Sequence, residues 1–170
     1  MTDAAGRVDP AFDADERTML LAFLDYHRAT LVWKASGLTQ EQMARTLPSS
    51  SLTIAGLVKH MALVEDSWFT ERFAGLGEGI WEGIDWDADR DWEFHTAVDD
   101  SPEELLALYA AACDRSRAVV AATESLDQRA VAARDPITLR WVLLHMIEET
   151  ARHNGHIDLL REPIDGLTGE

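Results

Sequence analysis

Apolar positions recur along most of this chain at the three- and four-residue steps of α-helices, and no stretch alternates like a strand. Met19, Phe23, Tyr26, Thr30 and Trp33, with Leu20, Leu24, His27 and Leu31 beside them, predict a first long helix. Asp13 with Glu16 three residues on makes a capping-box-like start, and Gly37 closes the helix after about Ser36. Residues 38–48 read as a linker with one short helical piece, capped by Thr39 with Gln42 completing the box. Thr53 caps a second long helix through about Phe73, whose stripe is Ile54, Leu57, Met61, Val64 and Trp68. From Gly75 to Asp100 periodicity fails, and Trp81, Trp86 and Trp92 are expected to pin this connection to the helices through their buried aromatic area. Ser101, Pro102, Glu103 and Glu104 start a third helix, with Leu105, Leu108, Ala112, Arg115 and Val119 down one face to about Ala122. A polar connection over 124–135, with one helical turn, ends at Pro136. The last helix then runs from Thr138 to Arg161 and stops at Pro163, leaving a tail with two glycines that is expected to be loosely held. The predicted fold is an all-α four-helix bundle, up-down-up-down, with a long irregular connection between helices two and three.

The last helix carries the chemistry. At about 100° per residue, with His145 at zero, Leu139, Val142, Met146, Thr150, Ile157 and Leu160 form a core-facing stripe between roughly 60° and 140°. His153 falls inside that stripe, and Glu149, His145 and His156 fall on its border. A carboxylate at the edge of a buried face is costly unless something compensates it, and both a histidine one turn away and a metal ion would do so. Glu149 and His153, four apart, stand one above the other. His60 occupies the corresponding border of the second helix's stripe.

Composition narrows the setting. The chain has 170 residues, 46% of them hydrophobic, which is one domain's worth of core; a single domain over 1–170 is expected, its core about 12–162. The polar, acidic N-terminus does not resemble a signal peptide, and no apolar run approaches the length of a membrane span. One cysteine, Cys113, excludes an internal disulfide and fits a reducing cytoplasm. A formal charge of −16, from 31 acidic and 15 basic residues, argues against nucleic acid or an anionic membrane as partner.

Inward-facing stripes on helices two and four let His60, Glu149 and His153 converge. Two imidazoles and a carboxylate are a common three-ligand set for a divalent ion with open positions, which is an arrangement for catalysis. The residues alone leave the alternative of a hydrogen-bonded, metal-free cluster equally open. Cys113, mid-helix beside Asp114, reads as a small core residue and not a nucleophile. His27 reads as a partly buried structural histidine, and His95 as a surface residue.

LVKHMALVEDSWF around His60, LALYAAACDRSRAVV in the third helix and HMIEETARHNGHIDLLRE from His145 to Glu162 resemble stretches of the DinB-like superfamily. The most similar branch is that of mycothiol-dependent S-transferases and the related maleylpyruvate isomerase. The resemblance covers roughly Phe12 to Glu162. It implies a four-helix bundle holding a metal, usually zinc or nickel, on one side chain from the second helix and two, four apart, from the last: His60, Glu149 and His153. Many relatives carry histidine at Glu149, and the glutamate form resembles the mycothiol-isomerase pattern. Many carry glutamine where this chain has His156, and its place one turn from His153 makes His156 a candidate additional ligand or support for one. The implied function is conjugation of a low-molecular-weight thiol, mycothiol by resemblance, to an electrophilic small molecule in detoxification. The alternatives are a thiol-dependent isomerase, a metal-dependent hydrolase and a non-catalytic, stress-related metal-binding protein. A homodimer also accords with the resemblance, although no stripe here demands a partner.

Overall fold

The computed structural model describes residues 6–169, so Glu170 and the polar lead-in before Gly6 lie outside the described residues. Its main helices are α1 (Glu16–Ala35), α3 (Ile54–Glu65), α5 (Pro102–Ala122) and α6 (Leu139–Asp165), with α2 (Gln40–Met43) and α4 (Trp92–Thr96) in the connections. No strand occurs among the described residues; isolated bridges join Leu47 with Ser50 and Arg129 with Thr138. Leu24, Leu31, Leu57, Met61, Tyr109, Val142 and Met146, from all four long helices, belong to one buried cluster. No helix among the described residues is long and apolar enough to cross a membrane.

Most helix starts use the side chains expected to cap them. Thr39 and Gln42 form a reciprocal box, as do Ser101 and Glu104, while Thr53 and Thr138 accept from the backbone N–H groups of Gly56 and Trp141. At α1 the cap is Asp15, not Asp13: its extended backbone lets its carboxylate accept from the Thr18 N–H and hydroxyl. The second helix departs from regular α-geometry. After Glu65 it widens into π-helical turns over Asp66–Phe73, with the Ala74 N–H donating to the carbonyl of Phe69 five residues back. No helical turn forms over 124–135.

One expectation for the C-terminus fails. Pro163 does not stop α6, which runs on to Asp165 and ends at Gly166 in the left-handed region, its N–H donating to Glu162. The proline forfeits one backbone bond in the final turn, and the Arg161–Asp165 ion pair at 2.8 Å spans it. The tail beyond α6 meets α1 at Thr168. The buried Lys34 ammonium pairs with Asp158 at 2.8 Å and also donates to the carbonyl of Thr168.

Helix directions differ from the expected path. Glu16, His27 and Lys34 of α1 bond to Arg140, Asn154 and Arg161 of α6 in that order, so α1 and α6 are parallel. His60 and Trp68 of α3 meet Glu149 and His145 of α6, and these two run antiparallel. Arg17 and Asp25 of α1 reach Val120 and Arg117 of α5, again antiparallel. The topology is therefore up-down-down-up and not up-down-up-down. The long connection makes this possible because it travels back along α3: Trp81 bonds Asp66, Glu93 bonds His60, and Thr96 and Asp100 bond Lys59. That return path lays α4 against the middle of α3.

Trp81 is the most deeply buried anchor of the connection. It is buried, and its indole N–H donates to Asp66, whose carboxylate also takes two bonds from Arg115. Trp86 and Trp92 are half-buried and meet edge to face.

Candidate metal centre

Antiparallel packing of α3 on α6 sets His60 opposite Glu149 and His153. Nε2 of His153 lies 3.2 Å from Glu149 Oε1, and Nε2 of His60 lies 3.9 Å from the same oxygen. One donor atom from each of the three residues falls within 4.8 Å of the others. The side chains are between 12% and 21% exposed, so the group is sunk in the surface yet reachable from it.

The outer edge of each imidazole is also occupied. Nδ1 of His60 lies 2.9 Å from Glu93 Oε1, and the face of the ring stacks on Phe94 with ring centroids 4.9 Å apart. Nδ1 of His153 lies 3.3 Å from Nδ1 of His156. Burial, then the nearby His60, pushes the His153 imidazole below its ordinary pKa, while Glu149 pulls the other way. The neutral, ligating form of His153 is thereby favoured.

These distances bear on the two readings the residues leave open. Tetrahedral zinc with bonds near 2.0–2.1 Å puts its donor atoms roughly 3.3 Å apart; the His153–Glu149 spacing of 3.2 Å matches this and the His60–Glu149 spacing of 3.9 Å is wider. Without an ion, His60 bonds Glu93 and His153 bonds Glu149, while Nε2 of His60, 3.9 Å from Glu149, makes no hydrogen bond there. With Nδ1 against Glu93, Nε2 is the nitrogen that His60 turns toward the Glu149 oxygen. A ring nitrogen and a carboxylate oxygen facing each other beyond hydrogen-bond reach leave room for a cation between them. The donor set of His60, Glu149 and His153 therefore fits a divalent ion.

The remaining histidines and the cysteine have other surroundings. His156 contacts the outer nitrogen of His153, the position of a supporting residue. His145, one turn before Glu149, packs between Trp68 and Trp141 at 4.5 and 5.0 Å, and Arg72 lies over Trp68. His27 is half-buried on α1 with its ring edge against Tyr26. His95 is exposed and pairs with Asp89 at 2.9 Å. Cys113 is buried on α5. A cleft of 310 Å³ beside the second helix and the returning connection is lined by Leu63, Ser67, Glu71, Arg72, Trp86 and Glu93.

Glu93 is the site residue that sequence reasoning missed. It lies 33 positions from His60 in a segment without periodicity, and no spacing rule links the two.

A sequence profile described as Mycothiol-S-transferase matches residues 19–166 of this chain, a span that contains all three converging side chains, Glu93 and His156. No curated protein matches the chain.

Proposed function

The chain belongs to the mycothiol-S-transferase family, within the DinB-like superfamily, and from that premise we propose that it joins a low-molecular-weight thiol, mycothiol by family, to an electrophilic small molecule. His60, Glu149 and His153 hold a divalent cation, zinc or nickel, at the border of α3 and α6. A free thiol has a pKa of about 8.5 and is mostly protonated at neutral pH; a cation bound there supplies the positive charge that favours the thiolate, the reactive form.

The observation that carries this reading is the convergence of two imidazoles and one carboxylate in a chain whose own thiol is out of reach. Cys113 is buried, and burial followed by the Glu65 charge pushes its thiol up to about 12. The attacking sulfur must therefore come from a small molecule. In the reaction the thiol gives up its proton, its sulfur forms the new bond to carbon, and the leaving group departs with the electron pair of the bond that breaks. The protein's side chains orient the donor set. Glu93 and His156 fix the two imidazoles from behind, and Phe94 closes one face of His60.

The test is conjugation of a generic electrophile by purified protein, with and without added thiol and before and after chelation. Turnover should require the thiol, yield a product heavier than the electrophile that carries the thiol, and disappear on chelation. His60→Ala should lose metal and turnover together. Equal rates before and after chelation would reject the proposal. Turnover without thiol would point to hydrolysis, and a product isomeric with its substrate would point to an isomerase.

A further inference from the structure

We infer that Glu93 is the positioning residue of this centre: by accepting the Nδ1 proton of His60 it turns Nε2 toward Glu149 and His153, and so sets how tightly the centre holds a cation. The inference rests on reading those three residues as a cation site.

Glu93 is 4% exposed, and its Oε1 meets His60 Nδ1 at 2.9 Å, the geometry of a charge-assisted hydrogen bond. Its other oxygen, Oε2, is buried without a hydrogen-bond partner. Among the described residues the one ion-pair partner of Glu93 is His60 itself. A carboxylate so placed is unfavourable unless positive charge lies near, and a cation on the far nitrogen of His60 supplies that charge through the ring.

Nor is Glu93 carried on a loose loop. Lys59, the neighbour of His60 in sequence, sends its ammonium to the Thr96 hydroxyl at 3.0 Å and to Asp100 at 2.6 Å, and lies over the Trp92 ring. Both flanks of α4 are thus tied to the helix that bears the ligand. Phe94 packs so closely on α3 that a Cβ at Gly56 would meet its Cδ1 at 2.7 Å. His153 offers a contrast, since its outer nitrogen meets only another imidazole, His156. Glu93 adds a negative charge to the hydrogen bond, which makes His60 the more strongly donating of the two imidazoles.

The experiment uses zinc as probe and metal-stripped protein. Zinc affinity is measured by competition with a chromophoric chelator for the unmodified protein, Glu93→Gln and Glu93→Ala, with helical content tracked by circular dichroism. Glu93→Ala should bind zinc about 10–100-fold more weakly while staying helical, and Glu93→Gln, which keeps an acceptor but no charge, should fall between. Nitrogen-15 shifts of His60 in the unmodified, metal-free protein at pH 8 should report the Nδ1–H tautomer, a readout that a packing role alone would not fix. A folded Glu93→Ala with undiminished zinc affinity, or an Nε2–H tautomer in the unmodified protein, would overturn the inference. The tautomer needs no variant, so the inference stays testable should Glu93→Ala fail to fold. Failure of the unmodified protein to bind zinc would instead overturn the metal reading beneath it.

Discussion

Cys113 and the three converging residues show, side by side, how surroundings decide which groups can react. The thiol of Cys113 is buried near the Arg28–Glu65 pair, and its pKa is pushed up to about 12 by burial first and the Glu65 charge second. A thiol reacts as its anion, so at pH 8 the folded protein should leave iodoacetamide essentially untouched, and alkylation should appear on unfolding or as pH approaches 12. Mass spectrometry after timed exposure checks this, and rapid modification of the native protein at pH 8 would contradict it. Glu149 and His153, by contrast, were legible in sequence because a four-residue step fixes their relation within one helix. His60 was legible as a residue on the border of an apolar stripe, and its partnership with them needed the fold. Glu93 was not legible at all. Its relation to His60 depends on how the chain returns along α3, and no local pattern encodes that.

At the scale of elements, the caps and stripes of the long helices are legible in the sequence because each is decided within a turn or two. The exceptions are the α1 cap, which falls on Asp15 and not Asp13, and the C-terminus, where the Arg161–Asp165 pair spans Pro163 and Lys34 of α1 reaches the carbonyl of Thr168. α4 is five residues long, too short to stand alone, and exists because α3 supports it. Gly56 is the seat of that support. In an exposed helix interior, Gly→Ala would gain about 1 kcal/mol; here the new methyl would press on Phe94 at 2.7 Å. Gly56→Ala should therefore destabilise the protein by about 1–3 kcal/mol and weaken zinc binding by displacing Glu93. Chemical denaturation with parallel zinc titration checks both, and a variant more stable than the parent would contradict the packing account.

For the whole molecule, the path of the chain is what makes the centre. In an up-down-up-down bundle a short second connection would never pass His60. In the up-down-down-up arrangement the crossover must run the length of α3, and in doing so it delivers Glu93 and Phe94 to the back of the imidazole. The sequence showed a connection long enough for this, but its length alone fits both paths. The central claim is that His60, Glu149 and His153 share one cation. The most direct measurement is anomalous diffraction at the zinc edge from crystals of zinc-loaded protein. The account predicts a peak between α3 and α6, about 2.0–2.1 Å from Nε2 of His60 and of His153 and about 2.0–2.2 Å from a Glu149 oxygen. Zinc-loaded crystals with no peak among these three side chains, or with the zinc bound elsewhere, would contradict it.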